Sequence, residues 1–151
     1  MPQFQHSFTV AAPLPAVAAF HSHTRALKTL TPPPILVSIH QAEALAEGSI
    51  AEFTLWFGPF PVRWKAVHSH FDPLHGFRDT QVSGPLANWQ HTHLFTALDD
   101  SHTRVEDRIE YAYQGGWTGL WTRLVFNYLG LRSMFAYRAW ATRRAVRAGR
   151  P

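Results

Sequence analysis

Two histidines flank a single threonine in "GFRDTQVSGPLANWQHTHLF", residues 76–95, and a carboxylate precedes the first of them by twelve positions. Imidazole and carboxylate together can move a proton, hold an anion or begin a metal site, provided the chain brings them to one face. A β-strand does this at alternate positions. Read as two strands around the turn "GPLAN", the segment places Asp79, Gln81, His91 and His93 on the same face as Phe77, Trp89 and Phe95. A third strand, "TRVEDRIEYAY", adds Val105, Asp107, Ile109 and Tyr111.

Turns centred near Leu86 and near Asp100–Ser101 predict that Asp79 opposes His93, Gln81 opposes His91, His93 opposes Asp107 and His91 opposes Ile109. Directly opposed residues share a face, with Cβ atoms about 4.5–5.5 Å apart. The expected feature is a row Asp79–His93–Asp107 across three strands. A two-residue slip would separate the row but keep its face, whereas a one-residue slip would break it. The large apolar neighbours turn this face inward. Buried imidazoles and carboxylates need partners, and here they find one another. A histidine between two carboxylates tends to stay protonated. It is then an anchor for an anion or carbonyl, or an acid catalyst. A buried polar network that only fixes strand register accounts for the same residues, and the sequence leaves both readings open.

The flanking segments supply what must hold this face. "FQHSFTV" (Phe4–Val10) alternates as a strand, and "AAPLPAVAAFHSHTRALKTL" follows with prolines suited to a first helical turn. "TPPP" stops helical structure. Strands are then expected at Ile35–His40, Gly48–Gly58 and Pro61–Phe71, with Gly58-Pro59 and Asp72-Pro73 as turns. After the third strand of the opening motif the period changes. Trp117, Leu120, Trp121, Leu124, Tyr128, Leu131 and Phe135 recur at three and four, an amphipathic helix reaching about Arg147. Gly119 and Gly130 are its weak points, and a kink is expected near one of them.

The order is strand, short helices, six strands, long C-terminal helix. A single curved antiparallel sheet has one face to bury, and the helix covers it. The fold class is α+β, with one domain over residues 1–151. At 151 residues, 46% hydrophobic and 16% charged, the chain is long enough and apolar enough for a large core. Six Trp and eleven Phe suit a large core or an aromatic-walled pocket.

With no cysteine, disulfides and thiolate chemistry are excluded. The N-terminus lacks a basic segment leading into a long apolar run, and no stretch approaches the roughly 20 apolar residues of a membrane span. A cytoplasmic protein without an integral membrane segment is expected. The net charge of +4 is uneven: residues 1–110 carry seven Lys and Arg against ten Asp and Glu, and residues 111–151 carry seven Arg and no acid. With the first 110 residues acidic and no RNA-binding signature present, nucleic acid is not an expected partner.

The pattern Gly76, Phe77, Asp79, Gln81, Gly84-Pro85, Trp89, His91, His93, Phe95, followed by Asp107, Ile109, Glu110 and Tyr111, resembles bacterial members of the START-like superfamily, often described as polyketide cyclase/dehydrase or lipid-transport proteins. The first strand, "AAPLPAVAAFH" and the long last helix resemble the same superfamily, so the likeness spans nearly the whole chain. It implies a helix-grip fold: a seven-stranded antiparallel sheet wrapped around the C-terminal helix, with short helices after the first strand and a hydrophobic cavity between sheet and helix. It also implies binding of lipids, isoprenoids, polyketides or other apolar molecules. No catalytic set is shared across the superfamily.

Two functions follow as expectations. The first is binding or transport of a hydrophobic or amphipathic small molecule, with Phe77, Asp79, Gln81, Trp89, His91, His93, Phe95, Asp107, Ile109, Tyr111 and, from the covering helix, Trp121 as the ligand-facing set. The second is a cyclase, dehydratase or hydrolase on a polyketide-like or aromatic substrate, with His93 as general acid/base and Asp79 or Asp107 orienting it. A third reading fills the cavity with the chain's own Phe and Trp side chains. His21/His23, His68/His70 and His91/His93 each have His-x-His spacing, but the spacing is generic, and neither a metal nor a cofactor is expected. "FTLWF" is apolar on both faces, which fits a homodimer contact. The arginines from Arg123 to Arg150 suit a solvent face and a helix C-terminus better than anionic lipid, though transient membrane contact is the alternative.

Overall fold

In the computed structural model, which describes residues 1–147, the chain forms seven strands and four helices. The strands are β1 (Gln3–Val10), β2 (Leu36–Ala42), β3 (Ile50–Phe57), β4 (Phe60–Asp72), β5 (Gly76–Ser83), β6 (Asn88–Ala97) and β7 (Thr103–Ala112). The helices are α1 (Leu14–His21), α2 (Ala26–Leu30), α3 (Gly116–Val125) and α4 (Tyr128–Arg147). Arg150, one of the C-terminal arginines, lies outside the described residues.

All seven strands form one antiparallel sheet in the order β1-β7-β6-β5-β4-β3-β2. Strands β2 to β7 are a meander, and β1 returns to pair with β7. This is the expected helix-grip arrangement, with α4 packed against the inner sheet face. Along β1 alternation does the work: Phe4, Phe8 and Val10 are buried and the intervening residues are exposed or half-buried. Pro13 precedes α1 in extended conformation, and Val17, Ala18 and Phe20 form the buried stripe of that helix. On α4, Leu131 and Phe135 have no exposed surface, and each contributes about 1.5–3 kcal/mol by burial.

The kink expected near Gly119 or Gly130 is a full break at Phe126–Asn127, just before Gly130, and the last helix is two helices instead of one. Asn127 caps the new helix: its Oδ1 accepts the Gly130 N–H at 2.8 Å, and its carbonyl accepts the Leu131 N–H at 2.9 Å. Gly130 lets the preceding turn pass close by, since a Cβ there would lie 2.0 Å from the Val125 carbonyl oxygen. Trp117, Leu120 and Leu124 on α3 and Tyr128 at the start of α4, all expected on the core-facing stripe, are exposed, Trp117 by 86%.

The β6–β7 register is the expected one, with His93 opposite Asp107 and His91 opposite Ile109. The β5–β6 register differs by two residues: Asp79 opposes His91, and Phe77 opposes His93. Gln81 accounts for the shift. Its amide donates to the Leu86 carbonyl at 2.7 Å, and its Oε1 accepts the Leu86 N–H at 3.3 Å. The side chain thus takes the place of ladder bonds, and the turn centres on Pro85 instead of Leu86. Because the slip is an even number, the inward face is unchanged.

Candidate functional site

The inner face of β5, β6 and β7 carries a four-membered polar cluster. His91 Nε2 lies 2.8 Å from Asp107 Oδ1, and His93 Nε2 lies 2.9 Å from Asp79 Oδ2. Two longer contacts complete the ring, His93 Nδ1 to Asp107 Oδ1 at 3.3 Å and His91 Nδ1 to Asp79 Oδ2 at 3.7 Å. The pattern is crossed: each histidine makes its shorter contact with the carboxylate diagonal to it and its longer one with the carboxylate opposite, and the β5–β6 shift is what places Asp79 diagonal to His93. His91, His93 and Asp107 are buried, and the Asp79 side chain keeps 19% of its surface exposed.

Apolar residues divide around this cluster. Along β6, Trp89 belongs to a core with Trp64, Ile109, Tyr111, Phe126 and Phe135, and Phe95 to another with Phe8, Val10, Phe77 and Val105. His91 and His93 stand between the two cores. Phe77 stacks on the His93 ring at 4.3 Å, and Phe135 presents its edge to His91 at 5.4 Å. Gly76 allows the strands to close here. It sits at φ +136°, and a Cβ would fall 1.9 Å from the His93 carbonyl oxygen.

The charges follow from the pairings, and the cluster titrates as one unit. Burial disfavours charge on every member. For His93 the hydrogen bonds to Asp107 and Asp79 outweigh burial, and its pKa is raised. For His91 burial and the neighbouring His93 charge win, and its pKa is lowered. Burial opposes ionisation of Asp79, but His91 and His93 overcome it and hold the carboxyl at about 2. Asp107 is held well below the carboxylate range by the same two rings. One imidazolium among two carboxylates is the consistent state.

A cavity of about 160 Å³ opens beside the cluster. Asp79, His93, His68 and Arg138 give it a polar end. Phe53, Trp64, Trp89 and Phe126 give it an aromatic wall, and Leu27, Leu30 and Ile35 a flank from α2 and the approach to β2. Of the expected ligand-facing set, Phe77, Asp79, Trp89 and His93 line this space. His91 and Asp107 stand behind them in the cluster. Phe95 lines a second hollow with Pro15, Ala18 and Phe71. Ile109 and Tyr111 are core residues, and Gln81 is spent on its turn. Trp121 packs edge-on against Phe57 at 5.6 Å and does not line the cavity.

Several lining residues were not in that set. His21, whose Nδ1 sits 2.9 Å from the Val17 carbonyl, faces the cavity from α1, and burial lowers its pKa to about 4. His68 bonds Ser49, and burial lowers its pKa as well. Arg138 reaches in from α4; burial lowers its pKa against the pull of Asp107 and Asp79. Its position was legible: Leu131, Phe135 and Arg138 follow the spacing of one helix face.

No family model matches the sequence, and no curated protein matches it. Solved structures do. A protein from Thermus thermophilus aligns with a TM-score of 0.72 at 16% identity, over 97% of this chain and 98% of that one. An aromatase/cyclase from a Streptomyces species gives 0.71 at 16% identity, over 99% of each chain. Norcoclaurine synthase from Thalictrum flavum, solved with dopamine and hydroxybenzaldehyde, gives 0.70 at 17% identity, over 99% of this chain and 88% of that one. At these identities the likeness is one of fold: the chain has the START-like helix-grip fold. Among the described residues, no helix is long and apolar enough to cross a membrane.

Proposed function

We propose that the cavity binds an amphipathic small molecule. Its polar end would lie at Asp79, His93 and Arg138, and its apolar or aromatic body against Phe53, Trp64, Trp89 and Phe126. One observation carries the reading: a single cavity whose wall passes from aromatic rings to a charged cluster. Apolar walls provide most of the affinity for such a ligand and a few polar groups fix its orientation. The volume argues against a cavity filled by its own side chains. Lipids, isoprenoids and polyketide-like aromatics all have the required shape, and the protein would carry them in the cytoplasm.

A second reading has one observation in its favour. His93 faces the cavity with a raised pKa, backed by two carboxylates, which suits a general acid near neutral pH. An aromatase/cyclase and norcoclaurine synthase use the same fold, which is support by analogy only. On this reading the protein is a cyclase or dehydratase acting on the bound molecule.

Native mass spectrometry of gently purified protein, with extraction and identification of what is released, tests the first reading. A stoichiometric lipid, isoprenoid or aromatic is expected. If neither a copurified molecule nor any added member of these classes binds, the reading fails. His93→Ala separates the two functions. A carrier changes only its affinity, whereas an enzyme loses turnover by orders of magnitude while still binding substrate.

A further inference from the structure

Asp107 accepts a hydrogen bond from one imidazole and lies in ion-pair contact with a second. Its Oδ1 lies 2.8 Å from His91 Nε2 and 3.3 Å from His93 Nδ1. An ionised carboxylate only accepts, so each of those nitrogens carries its hydrogen when bonded. The remaining ring nitrogens, His91 Nδ1 and His93 Nε2, then turn the other way. Both face Asp79 Oδ2, at 3.7 and 2.9 Å. Three electron-pair donors thus converge, all within 4.8 Å of one another. A proton on His93 Nε2 satisfies the shorter contact. It does nothing for the longer one, which is beyond hydrogen-bond reach.

We propose that Asp79, His91 and His93 bind a divalent transition-metal ion, with Asp107 as the carboxylate behind both imidazoles. Metal-bound histidines almost always give their other N–H to a carboxylate or carbonyl, which fixes tautomer and ring angle. Here one carboxylate does this for both rings. Ligands about 2.0–2.2 Å from a metal stand roughly 3.0–3.5 Å apart, and the present spacings of 2.9 and 3.7 Å bracket that range. Two imidazoles and a carboxylate suit Zn²⁺, Co²⁺ or Fe²⁺ better than Mg²⁺ or Ca²⁺. A divalent ion also neutralises both carboxylates. Asp79 and His93 line the cavity, so the free coordination positions open toward it. The other His-x-His pairs lack this support: among the described residues, only Asp79, His91 and His93 bring three ligand atoms together. The proposal goes beyond the ligand reading and does not need it.

The test titrates the chelator-treated full chain with Co²⁺ and reads the visible d–d bands, then displaces Co²⁺ with Zn²⁺. One equivalent is expected to bind. Asp79→Asn and His91→Gln should abolish the bands, and Asp107→Asn should weaken binding about tenfold to hundredfold. Asp79→Asn, at the cavity wall, is the variant most able to fold, and circular dichroism verifies it. Absence of binding, or binding unchanged in Asp79→Asn and lost in the exposed-site variant His70→Gln, overturns the proposal. Ligand retention by the metal-free protein, read by native mass spectrometry, keeps this outcome apart from that of the cavity reading.

Discussion

Along β6 the inward side chains run Trp89, His91, His93, Phe95, and the ends of that row are held by different physics from its middle. Trp89 and Phe95 are buried in separate apolar cores, where attraction follows area and has little direction. His91 and His93 are just as buried, but what keeps them there is a closed set of partners contributed by β5 and β7. An apolar core loses stability in proportion to what is removed. A closed polar set fails as a unit, because each loss leaves the others buried and unpaired.

The sharpest test compares two neighbours on β7 that share the inward face. Asp107→Ala leaves both imidazoles without their common acceptor and is expected to cost about 3–5 kcal/mol. Asp107→Asn keeps the shape and should still cost about 1.5–3 kcal/mol, since bonds to a charged group are lost. Ile109→Val, two positions along and equally buried, removes one methylene for about 0.5–1.5 kcal/mol. Urea unfolding of the three variants measures all of this. An Asp107→Asn cost no larger than that of Ile109→Val would mean that shape, not charge, holds the row.

Two imidazoles at the cavity extend the contrast. The rings of His21 and His93 are 6.3 Å apart, yet their pKa values move in opposite directions. His93 has two carboxylates to offset its burial. His21 has one backbone carbonyl, and burial takes it down to about 4. The sign follows. Between pH 6.5 and about 4 the unfolded chain binds a proton at His21 that the folded chain refuses, so stability falls as pH falls through this window. The share is at most about 3 kcal/mol at 1.36 kcal/mol per pH unit. In His21→Asn the slope of stability against pH should flatten there, with the remainder left to His91, His68 and His6, whose pKa values burial also lowers. Asp79 loses its contribution lower, as pH drops from the ordinary carboxylate range toward 2. Equal slopes in the variant and the parent would mean that His21 takes up its proton as readily in the folded chain as in the unfolded one.

What the sequence made legible divides along the same line. The face shared by Asp79, His91, His93 and Asp107 was readable because alternation survives an even register slip. The crossed pairing was not, because it depends on Gln81 bonding the Leu86 backbone, which no periodicity announces. Phe53 escaped because "FTLWF" is apolar on both faces and gives no parity, and Trp64, on the next strand, reads equally as pocket lining or ordinary core. Arg138 is hidden for a different reason: it reads as one of the C-terminal arginines of a solvent face, although its spacing from Leu131 and Phe135 marks the inner face. The cavity itself depends on how far α1, α2 and α4 stand from the sheet, a distance no local pattern encodes.

The smallest expected effect tests the last of these differences. Trp117 begins the apolar stripe of the expected covering helix, yet it lies on α3, before the Asn127 cap, and its indole is 86% exposed. Trp117→Ser should then change unfolding free energy by no more than about 0.5 kcal/mol, as surface substitutions do. Phe135→Ala, on the same stripe beyond the break and with no exposed surface, should cost about 3–5 kcal/mol. Losses of similar size would restore the continuous helix and bury Trp117 against the sheet. The part played by Asn127 is read separately: Asn127→Ala should weaken α4 by about 1 kcal/mol through loss of the bond to the Gly130 N–H.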